Sequence, residues 1–71
     1  MNIPNPKFDL FETVTIVDYI ENKKGMVSRR LYDIDNNKYI YDVLLKHDNK
    51  YEMGYFEENQ LKKLSELNGY I

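Results

Sequence analysis

From Tyr39 to Leu45 the chain alternates along a period of two: Tyr39, Tyr41, Val43 and Leu45 fall on one face, Ile40, Asp42 and Leu44 on the other. β-Branched and aromatic side chains suit a pleated, half-buried surface, so a central strand over Tyr39–His47 is predicted. Ile40 and Leu44 make the second face apolar as well, so partial cover is expected on both sides. Before it, Thr13–Glu21 reads as a first strand with Val14 and Ile16 on one face. The phase breaks after Ile16, which points to a bulge or strong twist near Val17. Met26–Asp33 reads as a second strand, with Val27, Arg29 and Leu31 facing inward and Ser28, Arg30 and Tyr32 outward.

Polar clusters punctuate these runs. Asn22-Lys23-Lys24-Gly25 is a turn in which Gly25 can take a positive φ. Asp33–Lys38 is a hairpin tip, with Asn36-Asn37 suited to left-handed geometry, and Asp48-Asn49 is the next turn. Tyr51–Phe56 then forms a fourth strand, in which Gly54 marks a bulge or a close backbone approach. Glu57-Glu58-Asn59-Gln60 reads as one helical turn, its carboxylates suiting a helix N-terminus. A short fifth strand over Leu61–Leu64 is favoured over a helix running to Leu67. Pro4 and Pro6 hold residues 1–7 as an extended tail, while Phe8, Leu10 and Phe11 supply bulk to close one end of the core. The domain is expected over residues 8–67, with residues 68–71 as a second tail. Four strands at hairpin spacing plus a final turn predict an all-β, five-stranded antiparallel barrel with a short helical turn before the last strand.

Size and charge narrow the function classes. A chain of 71 residues makes one domain with a thin core. It has no cysteine, so disulfides and thiolate metal sites are excluded, and a reducing, cytoplasmic setting is expected. The segment Met1–Pro6 lacks both a charged and an apolar signal region, and no run approaches the length of a membrane span. A formal net charge of −2 lacks the strongly basic balance of a nucleic-acid binder.

The order Val14-x-Ile16, Gly25-x-Val27, Tyr41-x-Val43-x-Leu45 and Tyr55-Phe56-x-Glu58-x-x-Leu61 resembles the layout of SH3-like barrels. More narrowly, the whole chain resembles the YorP-type small proteins encoded by prophages and bacteriophages. That resemblance implies five strands with a helical turn between two of them and a prophage or phage origin. It implies no activity and transfers no site residue.

Candidate chemistry is sparse, and an enzyme is not expected. His47, the only histidine, has no nucleophile motif to serve, with Ser28 and Ser65 in unrelated segments. Asp33-x-Asp35-x-Asn37 opens like a calcium loop, but Lys38 and Leu44 stand where glycine and glutamate are required. Glu57 and Glu58 are adjacent and so do not face each other as a dyad. No cofactor and no metal are expected.

Two binding readings remain. Seven tyrosines are a large share for this length, and tyrosine is enriched at interfaces. Tyr41 and one of Tyr51 or Tyr55 belong to the core by phase. Tyr19, Tyr32 and Tyr39 are left as candidate contacts to a protein partner. Lys23, Lys24, Arg29 and Arg30 form the only basic cluster, in which the turn lysines and one arginine line a shared rim for nucleic acid. Asp18, Glu21, Asp33 and Asp35 dilute that field, so a solvated hairpin face outweighs nucleic-acid contact. A monomer that binds a protein partner is the favoured expectation, with nucleic acid as the alternative and no membrane partner.

Overall fold

A computed structural model describes residues 2–17, 23–47 and 49–64, with the backbone alone for His47. Five strands form one antiparallel sheet: β1 (Thr13–Ile16), β2 (Lys24–Asp33), β3 (Lys38–His47), β4 (Lys50–Glu57) and β5 (Leu61–Lys63). A 3-10 turn, η1 (Glu58–Gln60), joins β4 to β5, and Gln60 Oε1 accepts from the Glu57 backbone N–H at 2.9 Å. The expected turn-then-strand ending is therefore observed. Strands run in the order β4-β3-β2-β1-β5. Among the described residues no β4–β5 ladder closes this sheet into a hydrogen-bonded barrel.

The sheet instead wraps around a core drawn from its whole width. Phe8, Val14, Ile16, Val27, Tyr41, Val43, Leu45 and Leu61 form one buried cluster, so β5 and β3 contribute to the same interior. Tyr41 anchors it. Its ring packs edge-on against Phe8 with centroids 5.2 Å apart, and its hydroxyl donates to Glu58 of η1. The same hydroxyl accepts from the backbone N–H groups of Lys7 (3.1 Å) and Phe8 (3.4 Å), tying the N-terminal segment to the sheet. Burial pushes the Tyr41 hydroxyl well above the usual tyrosine range, and the hydrogen bond to Glu58 adds to the shift.

Several sequence expectations are corrected. β1 ends at Ile16, with Val17 in a turn; the remainder of the expected strand, residues 18–21, lies outside the described residues, as does Asp48. Gly25 does not take a positive φ but sits inside β2, where a Cβ would lie 2.5 Å from Val43 Cγ1 and 2.9 Å from the Leu44 carbonyl oxygen. Close packing, not turn geometry, explains that glycine. Of the three residues assigned to the end of the core, only Phe8 is buried. A turn closed by Glu12 N–H to Asp9 O (3.2 Å), with Phe11 at φ 67°, turns Leu10 and Phe11 outward. Asn37 does adopt the left-handed geometry expected at the hairpin tip, at φ 53°.

The most consequential correction is in β2. The β2–β3 register shifts between Val27 and Arg29, so Ser28 is a bulge. Past it the phase inverts: Arg30 pairs with Tyr41 on the core side, while Arg29 and Leu31 turn outward opposite Asp42 and Ile40. The β3–β4 ladder carries no such shift, so Gly54 is not a bulge. It is the close approach offered as the alternative, since a Cβ there would lie 2.5 Å from the Phe56 ring.

Candidate functional site

Once Tyr41, Val43 and Leu45 point into the core, Ile40, Asp42 and Leu44 must point away from it. The registers build rows across that outer face from three strands: Met26, Leu44 and Met53; Arg29, Asp42 and Tyr55; Leu31, Ile40 and Glu57. Lys46 and Tyr51 add a further pair. Much of this face is apolar and open to solvent. Met26, Leu31 and Met53 are exposed, and Tyr51 and Tyr55 keep 66% and 67% of their surface. Isolated exposed apolar residues mean little, but a contiguous set on one sheet face marks an interaction surface.

An ion pair sits in the middle of it. Arg29 Nε donates to Asp42 Oδ2 at 2.7 Å, with the Asp42 side chain 8% exposed and that of Arg29 60% exposed. The other carboxylate oxygen, Oδ1, is buried without a hydrogen-bond partner. The bulge supports this arrangement, because the Ser28 hydroxyl donates to the Asp42 carbonyl oxygen at 3.1 Å. At the rim Lys38 and Glu57 form a second pair at 2.5 Å, and that carboxylate holds the Lys38 ammonium above its usual range. Of the cations on the face, Arg29 and Lys38 are paired to carboxylates within it, with Lys24 and Lys46 beside them.

The tyrosines nominated from the sequence are only partly brought together. Tyr32 and Tyr39 are directly opposed in the β2–β3 ladder, with ring centroids 5.0 Å apart, on the core side of the sheet and half-buried. Their hydroxyls are occupied: Tyr39 donates to the Pro4 carbonyl oxygen at 2.7 Å and Tyr32 to Asn37 Oδ1 at 3.3 Å. Tyr19 lies outside the described residues. The basic cluster divides. Lys24 and Arg29 fall on the outer face, whereas Arg30 Nη1 reaches the Phe8 carbonyl oxygen at 3.3 Å on the core side. Lys23 precedes β2, and its carbonyl oxygen accepts from the Ile16 N–H.

The sequence reading assigns one of Tyr51 or Tyr55 to the core, and neither is core. A signal was available. His47 pairs with Lys50, and counting outward from that tight turn sets Tyr41 opposite Phe56 and Val43 opposite Gly54. The even-numbered residues of β4 therefore share the core face and its tyrosines face out.

The other candidates take structural roles. Glu57 and Glu58 diverge, one to Lys38 and the other to Tyr41 and the Lys7 N–H. Asp33 accepts from both the backbone N–H and the side-chain amide of Asn36, which holds its carboxyl below the usual range. Among the described residues no helix is long and apolar enough to cross a membrane. The chain matches no family model, no curated protein and no solved structure.

Proposed function

We propose that this protein is a small non-enzymatic binding module that docks a protein partner on the outer face of β2, β3 and β4. The observation that carries the reading is the contiguous exposure of Met26, Leu31, Tyr51, Met53 and Tyr55 on that face. Aromatic and methionine side chains provide large contact area, and both types are enriched at protein interfaces. The pairing of Arg29 and Lys38 to carboxylates favours a protein over a nucleic acid, because it leaves only Lys24 and Lys46 of the face's cations for phosphate. The reading moves the docking tyrosines from Tyr32 and Tyr39 to Tyr51 and Tyr55. A prophage or phage origin, which the resemblance to YorP-type proteins suggests, is compatible with such a module.

The test is selection of binding peptides from a random display library, followed by titration of one selected peptide into isotope-labelled protein. Chemical-shift changes at Met26, Met53, Tyr51 and Tyr55 are the expected outcome. Changes confined to the core-side tyrosines overturn the assignment of the face. A parallel titration with mixed oligonucleotides at low and high salt provides the contrast, and salt-sensitive shifts at Lys24 and Arg29 there transfer the surface to nucleic acid.

A further inference from the structure

The two ends of the sheet differ in kind. Among the described residues β5 pairs only with β1, and its other edge is three residues long and carries Lys62 and Lys63, lysine being a residue with which proteins discourage strand addition. β4 exposes an edge eight residues long, Lys50-Tyr51-Glu52-Met53-Gly54-Tyr55-Phe56-Glu57, with no proline. Its ladder to β3 is unbroken from Glu57 to Lys50, so no bulge twists the edge away. Among the described residues β4 has no strand neighbour other than β3.

We infer that a second copy of this chain adds here, β4 to β4, antiparallel about a two-fold axis at Met53. Such an axis runs perpendicular to the sheet and keeps outward residues outward, so only registers joining odd positions to odd are available. With the axis at Met53, Tyr51 of each copy opposes Tyr55 of the other, and Glu52 opposes the side-chain-free Gly54. Centring on Glu52 would set two like charges face to face, and centring on Gly54 would leave the middle of the seam empty and oppose Tyr51 to Glu57. Two sheets then become one, and the outer faces join side by side through their tyrosines. The occupant is thus a copy of the same edge. This inference is carried by the open strand edge and not by the docking face.

Sedimentation equilibrium of the full chain over a rising concentration series is the test. The expected result is a mass moving from one chain to two, with Met53→Lys weakening association about tenfold while its NMR dispersion is retained. The chain has no cysteine, so Met53→Cys gives a second readout. Antiparallel partners on a two-fold lie within disulfide reach, and oxidation yields a covalent dimer, whereas Met26→Cys, on the outer face two strands in from the edge, does not. A single-chain mass at every concentration overturns the inference and leaves the docking proposal standing. A dimer that crosslinks as readily through Met26→Cys overturns it too, because the copies would then meet face to face. If Met53→Lys fails to fold, the cysteine pair decides.

Discussion

Tyr41 and Tyr55 sit on neighbouring rows of the β3–β4 ladder and meet opposite fates. Tyr41 pairs with Phe56 on the core side and is fully buried; Tyr55 pairs with Asp42 on the outer side and keeps two thirds of its surface. Tyr41 shares one buried cluster with Phe8 from the N-terminal segment, Val27 from β2 and Leu61 from β5. Around Tyr55 the neighbours mix apolar side chains (Ile40, Leu44 and Met53) with the Arg29–Asp42 ion pair, and nothing among the described residues covers the ring. The two faces thus differ in the charges they carry and in whether the chain returns over them. An apolar face that the fold closes is a core, and one that it leaves open is available to a partner.

The largest effect is expected from breaking the closed side. Tyr41→Ala removes the ring that joins Phe8, β3 and η1, and large-to-small changes of this kind cost about 3–5 kcal/mol. Small domains often hold little more than that, so thermal unfolding by circular dichroism is expected to show the variant largely unfolded at room temperature. Gly25→Ala tests the same core from the opposite direction. Its methyl would meet both the Val43 side chain and the Leu44 backbone, and overpacking of this kind costs about 1–3 kcal/mol. A lowered urea midpoint with an unchanged slope is the expected reading.

A smaller change isolates the hydroxyl of Tyr41 from its ring. Tyr41→Phe keeps the packing but removes the acceptor for the Lys7 and Phe8 N–H groups and the donor to Glu58. A destabilisation of about 1–3 kcal/mol is expected at neutral pH. The pH dependence follows from the raised pKa of this hydroxyl in the folded state. Such a group contributes its full stabilisation below the unfolded value, near pH 10, and loses it as pH climbs from there toward the folded value. Urea titrations of both proteins are therefore expected to show a constant gap up to about pH 10 and a narrowing gap above it. A gap that widens with pH would show that the hydroxyl is not held in its neutral form.

How much of this was legible in the sequence depends on the element. β3 was, because alternation about Tyr41, Val43 and Leu45 left one consistent choice of face, and the turn-then-strand ending after Phe56 was read from Glu57–Leu61. β2 was not. A bulge at Ser28 has no glycine or proline to announce it, and one extra residue reverses every later side chain, turning Leu31 out and Arg30 in. β4 misled in another way, since its outward phase of Tyr51, Met53 and Tyr55 is more apolar than its inward phase of Glu52, Gly54 and Phe56. Counting apolar residues selects the wrong face, whereas counting from the turn selects the right one. The same two errors set Arg30 outward and one of Tyr51 or Tyr55 in the core.

The smallest expected effect on stability carries the most functional information. Tyr55→Ser removes an exposed ring from an edge strand, opposite a carboxylate already held by Arg29, so no core contact is lost. Surface changes of this kind usually stay within about 0.5 kcal/mol, and the urea midpoint is expected to remain close to that of the parent protein. Binding of a display-selected peptide is expected to weaken by tenfold or more, as truncating an aromatic anchor does at an interface hot spot. The pair of readouts separates what a single one confounds. If stability falls as it does for Tyr41→Ala, the outer face is a second core surface and the comparison of the two faces collapses. If stability holds and affinity holds with it, Tyr55 is exposed without being used, and docking must be sought at Tyr51, Met26 and Leu31. Only unchanged stability with lost affinity makes the difference between the two tyrosines a division of labour between folding and recognition.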